Sequence, residues 1–267
     1  MNSRLFGDTK PVIGMIHVGA LPGTPRYHAS LSRIVAQAVR EARIYRECGV
    51  DGIAIENMHD LPYLRGGVGP EIVSSMTVVA HAVRAEFKGP IGIQVLAAAN
   101  REALAVAHAT NLEFVRVEGF TFAHVADEGI IQSCAADLLR YRKQIGAEKV
   151  QVWADIKKKH ASHAITADVS LEDTAHAAEF MGADALIITG TATGRPPRIA
   201  DVKAASHAAK LPIILGSGID ARNVKSFMPA ADGFIIGSFF KKDGYWENDV
   251  DASRVDSFLS QARKRSK

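Results

Sequence analysis

The segment CGVDGIAIEN at residues 48–57 has a pattern that returns twice later in the chain, as MGADALIITG at 181–190 and as PAADGFIIGS at 229–238. In each copy a Gly or Ala stands two residues before an Asp, and a short, nearly continuous apolar run follows the Asp. Such runs are typical of parallel strands that are buried on both faces of a sheet. The acids of the pattern therefore mark the beginnings of strands, and we interpret them as structural residues. They are Asp51, Asp184 and Asp232.

Further apolar runs of the same kind bring the number of predicted strands to eight, with amphipathic helical patterns between them. The predicted strands span 11–17, 51–57, 91–96, 113–119, 150–157, 184–190, 212–218 and 232–238. Eight strand–helix units in a chain of 267 residues indicate a single (β/α)8 TIM barrel of the α/β class, occupying residues 1–267 as one domain. A doubly wound open sheet is the alternative, although no GxGxxG motif follows a predicted strand.

The composition limits the classes of function. With 47% hydrophobic and 23% charged residues and a net charge of +3, the chain resembles a globular protein and gives no reason to expect nucleic-acid binding. Its two cysteines, Cys48 and Cys134, form no metal or redox spacing, so we expect free thiols in a reducing compartment. No apolar run has the length of a signal peptide or a transmembrane helix. We expect a cytoplasmic homo-oligomer with at most peripheral membrane association, and an organelle matrix is the alternative location.

Polar residues stand near the carboxyl ends of the predicted strands, where strand alternation turns them away from the helices. In one strand Val152, Ala154 and Ile156 form the helix-facing side. Asp155 and Lys157 are then predicted to point into the barrel. The inward residues predicted to be catalytic are His17, Glu56, Glu118, Asp155 and Lys157. The residues predicted to contact a substrate are Asn57 and the inward residues Gln94, Arg116 and Thr189.

These inward residues have a second interpretation, because barrel interiors also contain ion pairs that serve only the fold. Arg116 and Asp155 are the candidates for such a pair. Burying so many unpaired charges without a function costs several kcal/mol, so we favour a functional role for the set as a whole. Lys158, Lys159 and His160 follow the end of the strand, and we expect them on the loop surface, with His160 the one that could reach inward.

Loops rich in glycine and serine follow the last two predicted strands, as LGSGI at 215–219 and GSFFK at 237–241. Glycine lets backbone N–H groups approach an anion closely, and the loops at these places in TIM barrels commonly bind phosphate. We therefore predict a phosphate site formed by Gly216, Ser217, Gly218, Gly237 and Ser238. No GxxxxGK[ST] motif is present, which disfavours a P-loop nucleotidase.

The loop TGTATGRPPRI at 189–199 is long for this fold class and follows the sixth predicted strand. Its glycines can act as hinges and its two prolines stiffen the far end, so one interpretation is a lid. Thr191, Thr193 and Arg195 would then close over an anionic ligand. A rigid loop that leads into a proline-initiated helix is an equal alternative.

The chain contains several long and unusual motifs, namely KPVIGMIHVGALPGTPRY (10–27), DGIAIENMHDLPY (51–63), VGPE (68–71), TGTATGRPP (189–197), LGSGI (215–219) and ADGFIIGSFFKKDG (231–244). These motifs resemble those of the BtpA/SgcQ family. The resemblance implies a barrel similar to ribulose-phosphate-binding barrels. The family that the chain resembles is associated with photosystem I biogenesis in cyanobacteria, and other members are encoded among bacterial sugar-metabolism genes. The chain has KKKH at 157–160 where the family pattern has a single lysine before the histidine, so a role for Lys157 alone stays open.

The predicted function is that of an enzyme acting on a phosphorylated sugar or a similar small metabolite. Isomerisation, epimerisation and aldol or lyase cleavage all need proton transfer beside a carbonyl, which a carboxylate base and a facing acid supply. Glu56 and Asp155 are the predicted acid/base pair. Lys157 would polarise an oxygen or form a Schiff base, and His17 would donate a hydrogen bond to the substrate.

Two other functions stay open from the sequence. The first is a metal-dependent hydrolase, in which His17, Glu56, Glu118 and Asp155 would bind a divalent metal. The HxH motif of the metal-dependent amidohydrolase barrels is absent after the first strand, which disfavours this function, and the sequence requires no cofactor. The second is a non-catalytic assembly factor for a membrane complex, which has no need of converging buried charges.

Overall fold

The computed structural model describes residues 5–7, 9–190 and 195–263 and contains a closed barrel of eight parallel strands. The barrel strands are β1 (Val12–His17), β2 (Gly52–Glu56), β3 (Ile91–Gln94), β4 (Phe114–Val117), β7 (Gln151–Ile156), β9 (Ala185–Ile188), β10 (Ile213–Leu215) and β11 (Gly233–Ile236). They pair in chain order, and β11 pairs with β1 to close the barrel. Each strand lies within a predicted run, so the predicted TIM barrel is confirmed.

Helices connect the barrel strands and cover their outer side. They are α1 (Leu31–Cys48), α2 (Pro70–Glu86), α3 (Asn100–Ala109), α4 (Ala135–Gln144), α5 (Leu171–Phe180), α6 (Ile199–Ala208), α7 (Val224–Phe227) and α8 (Ala252–Ala262). On α1 the buried residues include Ile34, Ala38, Ala42 and Tyr45, which follow the helical period, and the Tyr45 hydroxyl donates to the Met15 carbonyl oxygen (2.8 Å). In the described part of the chain, no helix has the length and apolar character required to span a bilayer.

The barrel interior has its own small apolar core at the end opposite the carboxyl ends of the strands. Phe114 stacks on Trp153 with ring centroids 3.8 Å apart. A Cβ atom added to Gly92 would lie 2.0 Å from the Phe114 ring, so this position has room only for glycine. These side chains fill the lower interior, and the larger cavity described below opens at the other end of the barrel.

The acids at the strand beginnings hold neighbouring strands together. The Asp51 carboxylate accepts a hydrogen bond from the Val12 backbone N–H at 2.8 Å. Asp184 accepts from the Val152 N–H at 2.8 Å. Asp232 in turn accepts from the Ile213 N–H at 2.9 Å. Each acid therefore accepts from an N–H group at the beginning of the neighbouring strand, as the structural interpretation of these residues predicts. That N–H belongs to the first residue of β1 and of β10 and to the second residue of β7.

A small antiparallel sheet was not predicted from the sequence. It contains β5 (His124–Ala126), β6 (Gly129–Ile131) and β8 (Ala161–Ser162), with β5 in the middle. The first two form a hairpin in the connection from β4 to α4, and the third belongs to the connection from β7 to α5. The sheet therefore joins two loops at the carboxyl end of the barrel.

Candidate active site

A cavity of about 450 Å³ opens at the carboxyl ends of the barrel strands. Many of the residues predicted to be functional line it. They are His17, Glu56, Arg116, Glu118, Asp155, Gly216, Ser217, Gly218, Gly237 and Ser238. The volume lies within the range of sites for small molecules and cofactors.

Two ion pairs lie on the floor of the cavity. Arg116 donates through Nε to Asp155 Oδ2 (2.9 Å) and through Nη2 to Oδ1 (3.3 Å), and both side chains are buried. The Lys158 Nζ lies 3.0 Å from Glu118 Oε1. Burial raises the pKa of Asp155 while the Arg116 guanidinium lowers it. The bidentate geometry and a guanidinium that does not deprotonate favour the ionised pair.

Glu56 is the floor carboxyl without a bidentate partner. Burial raises its pKa, and the Arg116 guanidinium only partly offsets this effect. Its Oε2 lies 3.9 Å from Nε2 of the His17 ring, and the Lys159 ammonium, like the Arg116 guanidinium, lowers its pKa. A carboxyl whose pKa is displaced towards neutrality can both release and accept a proton, which suits a general acid or base.

His17 is held in one orientation by the loop that follows β11. Its Nδ1 lies 2.9 Å from the Trp246 carbonyl oxygen, which can only accept, so Nδ1 carries the proton. Burial lowers the pKa of His17, and nearby Lys241 lowers it further. The ring is therefore neutral with Nε2 as an acceptor, and in this state Nε2 would accept a hydrogen bond from a substrate, whereas donation is the prediction from the sequence.

The lysine of the cavity is not the one predicted. Lys157 has a φ of 48°, and its Nζ donates to the Thr166 carbonyl oxygen (3.1 Å), outside the cavity. Strand β7 ends at Ile156, so the alternation that placed Lys157 inward no longer applies. Lys158 and Lys159 line the cavity instead, which corrects their predicted place on the loop surface.

Lys159 has the electrostatic surroundings that were expected for Lys157. Burial lowers its pKa, and the Arg116 guanidinium adds to the effect, whereas Glu56 and Asp155 oppose it. The Lys159 backbone N–H donates to Thr189 Oγ1 at 3.0 Å, which fixes this part of the loop. His160 is exposed but also lines the cavity.

Two of the predicted substrate contacts do not line the cavity and instead form hydrogen bonds with neighbouring loops. They are Asn57 and Thr189. The Asn57 amide donates to Asp60 Oδ2, and its oxygen accepts from the Leu96 N–H, both at 2.7 Å. These bonds tie the loops after β2 and β3 together. The Thr189 hydroxyl supports the Lys159 backbone in the same way.

Gln94 points into the barrel as predicted but is absent from the cavity lining. It pairs in register with Glu56 and is only 2% exposed. Neither end of its side-chain amide has a hydrogen-bond partner in the described part of the chain. Gln94 is therefore a buried polar group beside the site, without direct access to a ligand.

The predicted phosphate loops line one side of the cavity. The Gly216 N–H donates to the Ile188 carbonyl oxygen (2.9 Å) and is not available to a ligand. The N–H groups of Ser217, Gly218, Ser238 and Phe239 have no acceptor among the described residues. Such groups are suited to an anion. The helix after the first loop, α7, has only four residues, so the donors come from the loops.

Gly218 is required by the backbone packed against it. Its φ is 71°, and an added Cβ would lie 2.2 Å from the Arg195 carbonyl carbon and the Pro196 nitrogen. Arg195 itself is exposed and does not line the cavity, so the structure does not place it over a ligand as predicted. Thr191 and Thr193 lie outside the described residues.

Apolar and aromatic side chains that the sequence analysis missed form another side of the cavity. They are Met58, Leu61, Tyr63, Leu96, Phe239 and Trp246. The Tyr63 hydroxyl donates to the Met58 carbonyl oxygen (2.6 Å), which fixes the ring. A signal was available, since large apolar residues follow a strand end within the motif at 51–63.

Acidic residues also reach the cavity from the unpredicted hairpin. Asp127 and Glu128 form the turn between β5 and β6 and line the cavity. In the described part of the chain, no three His, Cys, Asp or Glu side chains are grouped to hold a metal ion. His17, Glu56, Glu118 and Asp155 are therefore not grouped as the ligand set that the alternative of a metal-dependent hydrolase would need.

Comparison with known proteins identifies similar sequences across nearly the whole chain. The model of the BtpA family matches residues 8–264. An uncharacterised mitochondrial protein of Caenorhabditis elegans is 45% identical over 263 residues, covering 96% of this chain and 95% of that protein. The photosystem I biogenesis protein BtpA of Synechocystis is 35% identical over 257 residues, covering 96% of this chain and 89% of that protein.

Solved structures with a similar fold are more distant in sequence. Thiamine phosphate pyrophosphorylase of Pyrococcus furiosus has a TM-score of 0.56 at 14% identity, covering 97% of this chain and 98% of that one. Orotidine 5′-monophosphate decarboxylase of Methanocaldococcus jannaschii also has a TM-score of 0.56 at 14% identity, covering 95% and 100%. At this identity the likeness shows the barrel fold alone.

Proposed function

The chain belongs to the BtpA family, and we propose that it is an enzyme that moves protons beside the carbonyl group of a small phosphorylated metabolite. Isomerisation, epimerisation and aldol or lyase cleavage are the reactions of this class. The observation that carries the proposal is Glu56, a buried carboxyl of raised pKa without a bidentate partner on the floor of a cavity of about 450 Å³.

The charges around Glu56 support an acid/base role. Asp155 is the second carboxyl of the proposed pair, and its contact with Arg116 holds it in place. His17, with Nε2 as an acceptor, can take up a proton from Glu56 or from a substrate hydroxyl. Glu118 is paired with Lys158, and its charge contributes to the electrostatic field at the cavity floor. These groups provide proton acceptors and fixed charges on one surface.

We assign to Lys159 the role predicted for Lys157, which is to polarise an oxygen or to form a Schiff base. A buried amine of lowered pKa can donate to a carbonyl oxygen, or it can attack the carbonyl carbon and form a Schiff base with loss of water. Either reaction stabilises the negative charge that develops when a neighbouring C–H proton is removed. The substitution Lys159→Met should therefore reduce turnover even if the substrate still binds.

The phosphate end of the substrate is assigned to the two glycine loops. Their N–H donors belong to residues on one side of the cavity and have no other acceptor among the described residues. The two structural neighbours named above are enzymes whose names include a phosphate compound, which agrees with this assignment. The phosphate would fix the carbonyl carbons over the floor.

Solvent deuterium exchange tests the proposal without knowledge of the final product. The protein is incubated in D₂O with ribulose 5-phosphate, fructose 6-phosphate and dihydroxyacetone phosphate, and deuterium next to the carbonyl is measured by NMR. We expect incorporation into at least one compound, reduced about 10²–10⁴-fold by Glu56→Gln. Glu172→Gln, which changes an exposed carboxyl on α5, is the control and should match wild type. Absence of incorporation into all three compounds would contradict the proposal.

A non-catalytic assembly factor is the second candidate, because a relative of this chain is named as a photosystem I biogenesis protein. Gene replacement in a host that depends on its own copy separates the two functions. An enzyme with Glu56→Gln should fail to restore growth although it is folded and expressed. An assembly factor with the same substitution should restore it.

A further inference from the structure

Arg254 is a cation of the cavity that the sequence analysis did not identify. It is the third residue of α8, and its side chain lines the cavity together with the loop that follows β11. This loop contains Ser238 and Phe239, whose N–H groups have no acceptor among the described residues. A guanidinium thus lies on the same side of the cavity as free backbone donors.

Two contacts hold the guanidinium in this position. Arg254 Nε donates to the Phe239 carbonyl oxygen at 2.6 Å. Its Cζ lies 4.6 Å from the centre of the Phe239 ring, a cation–π contact. Gly244 leaves room for the group, since an added Cβ there would lie 3.1 Å from Nη2. Because Nε is occupied and the plane is fixed, the two Nη groups are left to bind a ligand.

Arg254 also differs from Arg116 and Lys158 in its lack of a direct ion-pair partner among the described residues. Arg116 is paired with Asp155, and Lys158 is paired with Glu118. No ion pair between described residues includes Arg254. The nearby Asp251 carboxylate is occupied instead as the cap of α8, where it accepts from the Ser253 N–H and hydroxyl. A fixed guanidinium without a carboxylate partner favours an anionic ligand.

We propose that Arg254 binds the phosphate group of the substrate, through its two Nη groups, beside the N–H donors of Ser238 and Phe239. The inference rests on the proposed function, in that it assigns the charged partner of the same phosphate. It makes the C-terminal helix part of the binding site. It also specifies a phosphate ester over an uncharged sugar, because the neutral N–H donors alone discriminate less strongly than a guanidinium does.

Phosphate binding by Arg254 variants tests the inference. Inorganic phosphate is titrated into the full chain by calorimetry, and the fold of each variant is checked by circular dichroism and thermal unfolding. Arg254→Gln keeps an amide that can reach the Phe239 carbonyl, so it should fold, and it should weaken phosphate binding about 10–100-fold. Arg254→Lys keeps the charge but loses the planar fork and should give a smaller loss.

Arg222→Gln is the matched control. It removes the same charge near the first glycine loop, but Arg222 is exposed and its guanidinium is bound to Asp220. Its phosphate affinity should stay within about twofold of wild type. If Arg222→Gln and Arg254→Gln lose phosphate affinity equally, the effect comes from long-range charge and not from direct contact. That result would overturn the inference.

The results also separate this inference from the proposed function. If wild type binds phosphate and Arg254→Gln binds it equally well, the assignment of Arg254 is wrong and the glycine loops remain. If folded wild type does not bind phosphate at all, the phosphate site is wrong and the assignment of Arg254 fails with it.

Discussion

Replacing Asp155 by Asn should destabilise the protein by about 3–5 kcal/mol, whereas replacing Glu56 by Gln should change the free energy of unfolding by less than about 1 kcal/mol. The two carboxyls are similarly buried, at 7% and 8% exposure. Their partners differ. Asp155 accepts two hydrogen bonds from the Arg116 guanidinium, and a neutral amide at position 155 would leave that cation buried without a counter-ion.

Glu56 forms no bidentate pair of this kind with a buried guanidinium, and its favourable effect on the Lys159 ammonium is shared with Asp155 and Glu118. Its Oε2 lies 3.9 Å from Nε2 of the neutral His17 ring, and burial raises the pKa of Glu56, so the neutral amide resembles the form that the folded state favours. A raised pKa contributes stability below the unfolded-state value of about 4.5 that is lost as the pH rises through the folded-state value. The stability of Glu56→Gln relative to wild type should therefore increase with pH above about 4.5.

Urea unfolding followed by tryptophan fluorescence measures both effects, since Trp153 is buried beneath the cavity floor. Thermal unfolding should show a decrease of roughly 6–20 °C in Tm for Asp155→Asn and little change for Glu56→Gln. Equal destabilisation by the two substitutions would refute the reasoning, because it would mean that the charge on Glu56 stabilises the fold as much as that on Asp155. A loss under about 1 kcal/mol for Asp155→Asn would refute the structural part assigned to its pair with Arg116.

Three further predictions concern groups outside the cavity floor. The Lys241 amine is buried and bound to both oxygens of Glu41 (2.8 and 2.7 Å), so Lys241→Met should cost about 3–5 kcal/mol in urea unfolding, and adding Glu41→Leu should recover most of it. Burial raises the pKa of Cys48 and Cys134 to about 11, so iodoacetamide at pH 8 should alkylate them more slowly in the native than in the unfolded protein, and equal rates would contradict this. Burial lowers the pKa of His124 to about 4, so stability should fall as the pH drops from about 6.5 towards 4, because the unfolded chain takes up the proton first. His124→Gln should flatten that decrease, and an equally steep one would contradict the assignment.

The barrel could be predicted from the sequence because buried parallel strands and the helices between them have distinct patterns of apolar residues. Strands buried on both faces read as continuous apolar runs, and helices between them read as amphipathic patterns. The repeated acid before three strands had a structural meaning as well, since Asp51, Asp184 and Asp232 each accept a backbone N–H from the neighbouring strand region. Alternation within the strands then placed Glu56 and Asp155 in the cavity correctly.

The errors begin where the strands end. Alternation holds only while the backbone stays extended, and the left-handed φ of Lys157 turns its side chain away and brings Lys159 into the cavity. Gln94 pairs in register with the inward residue Glu56 yet does not line the cavity, and both ends of the Asn57 amide are used between loops, a contact that no local pattern encodes. Inward direction is therefore readable from the sequence only within the strands, whereas access to the cavity is not.

Residues on long connections could not be placed for the same reason. Trp246 and Arg254 reach the cavity from the segment after β11, and their positions depend on contacts with His17 and Phe239. The hairpin of β5 and β6 consists of two strands of three residues, too short for a period to appear. Tertiary contacts, which the sequence pattern does not record, decide these positions.

The most direct test of the account is a crystal structure of the Glu56→Gln variant with ribulose 5-phosphate, in which the substitution prevents turnover. We expect the phosphate between the loops at 216–218 and 237–239, in contact with the Arg254 guanidinium. We also expect the carbonyl and its neighbouring carbon to face position 56 and the Lys159 amine. Phosphate bound elsewhere, or a sugar that extends out of the cavity away from position 56, would contradict the account.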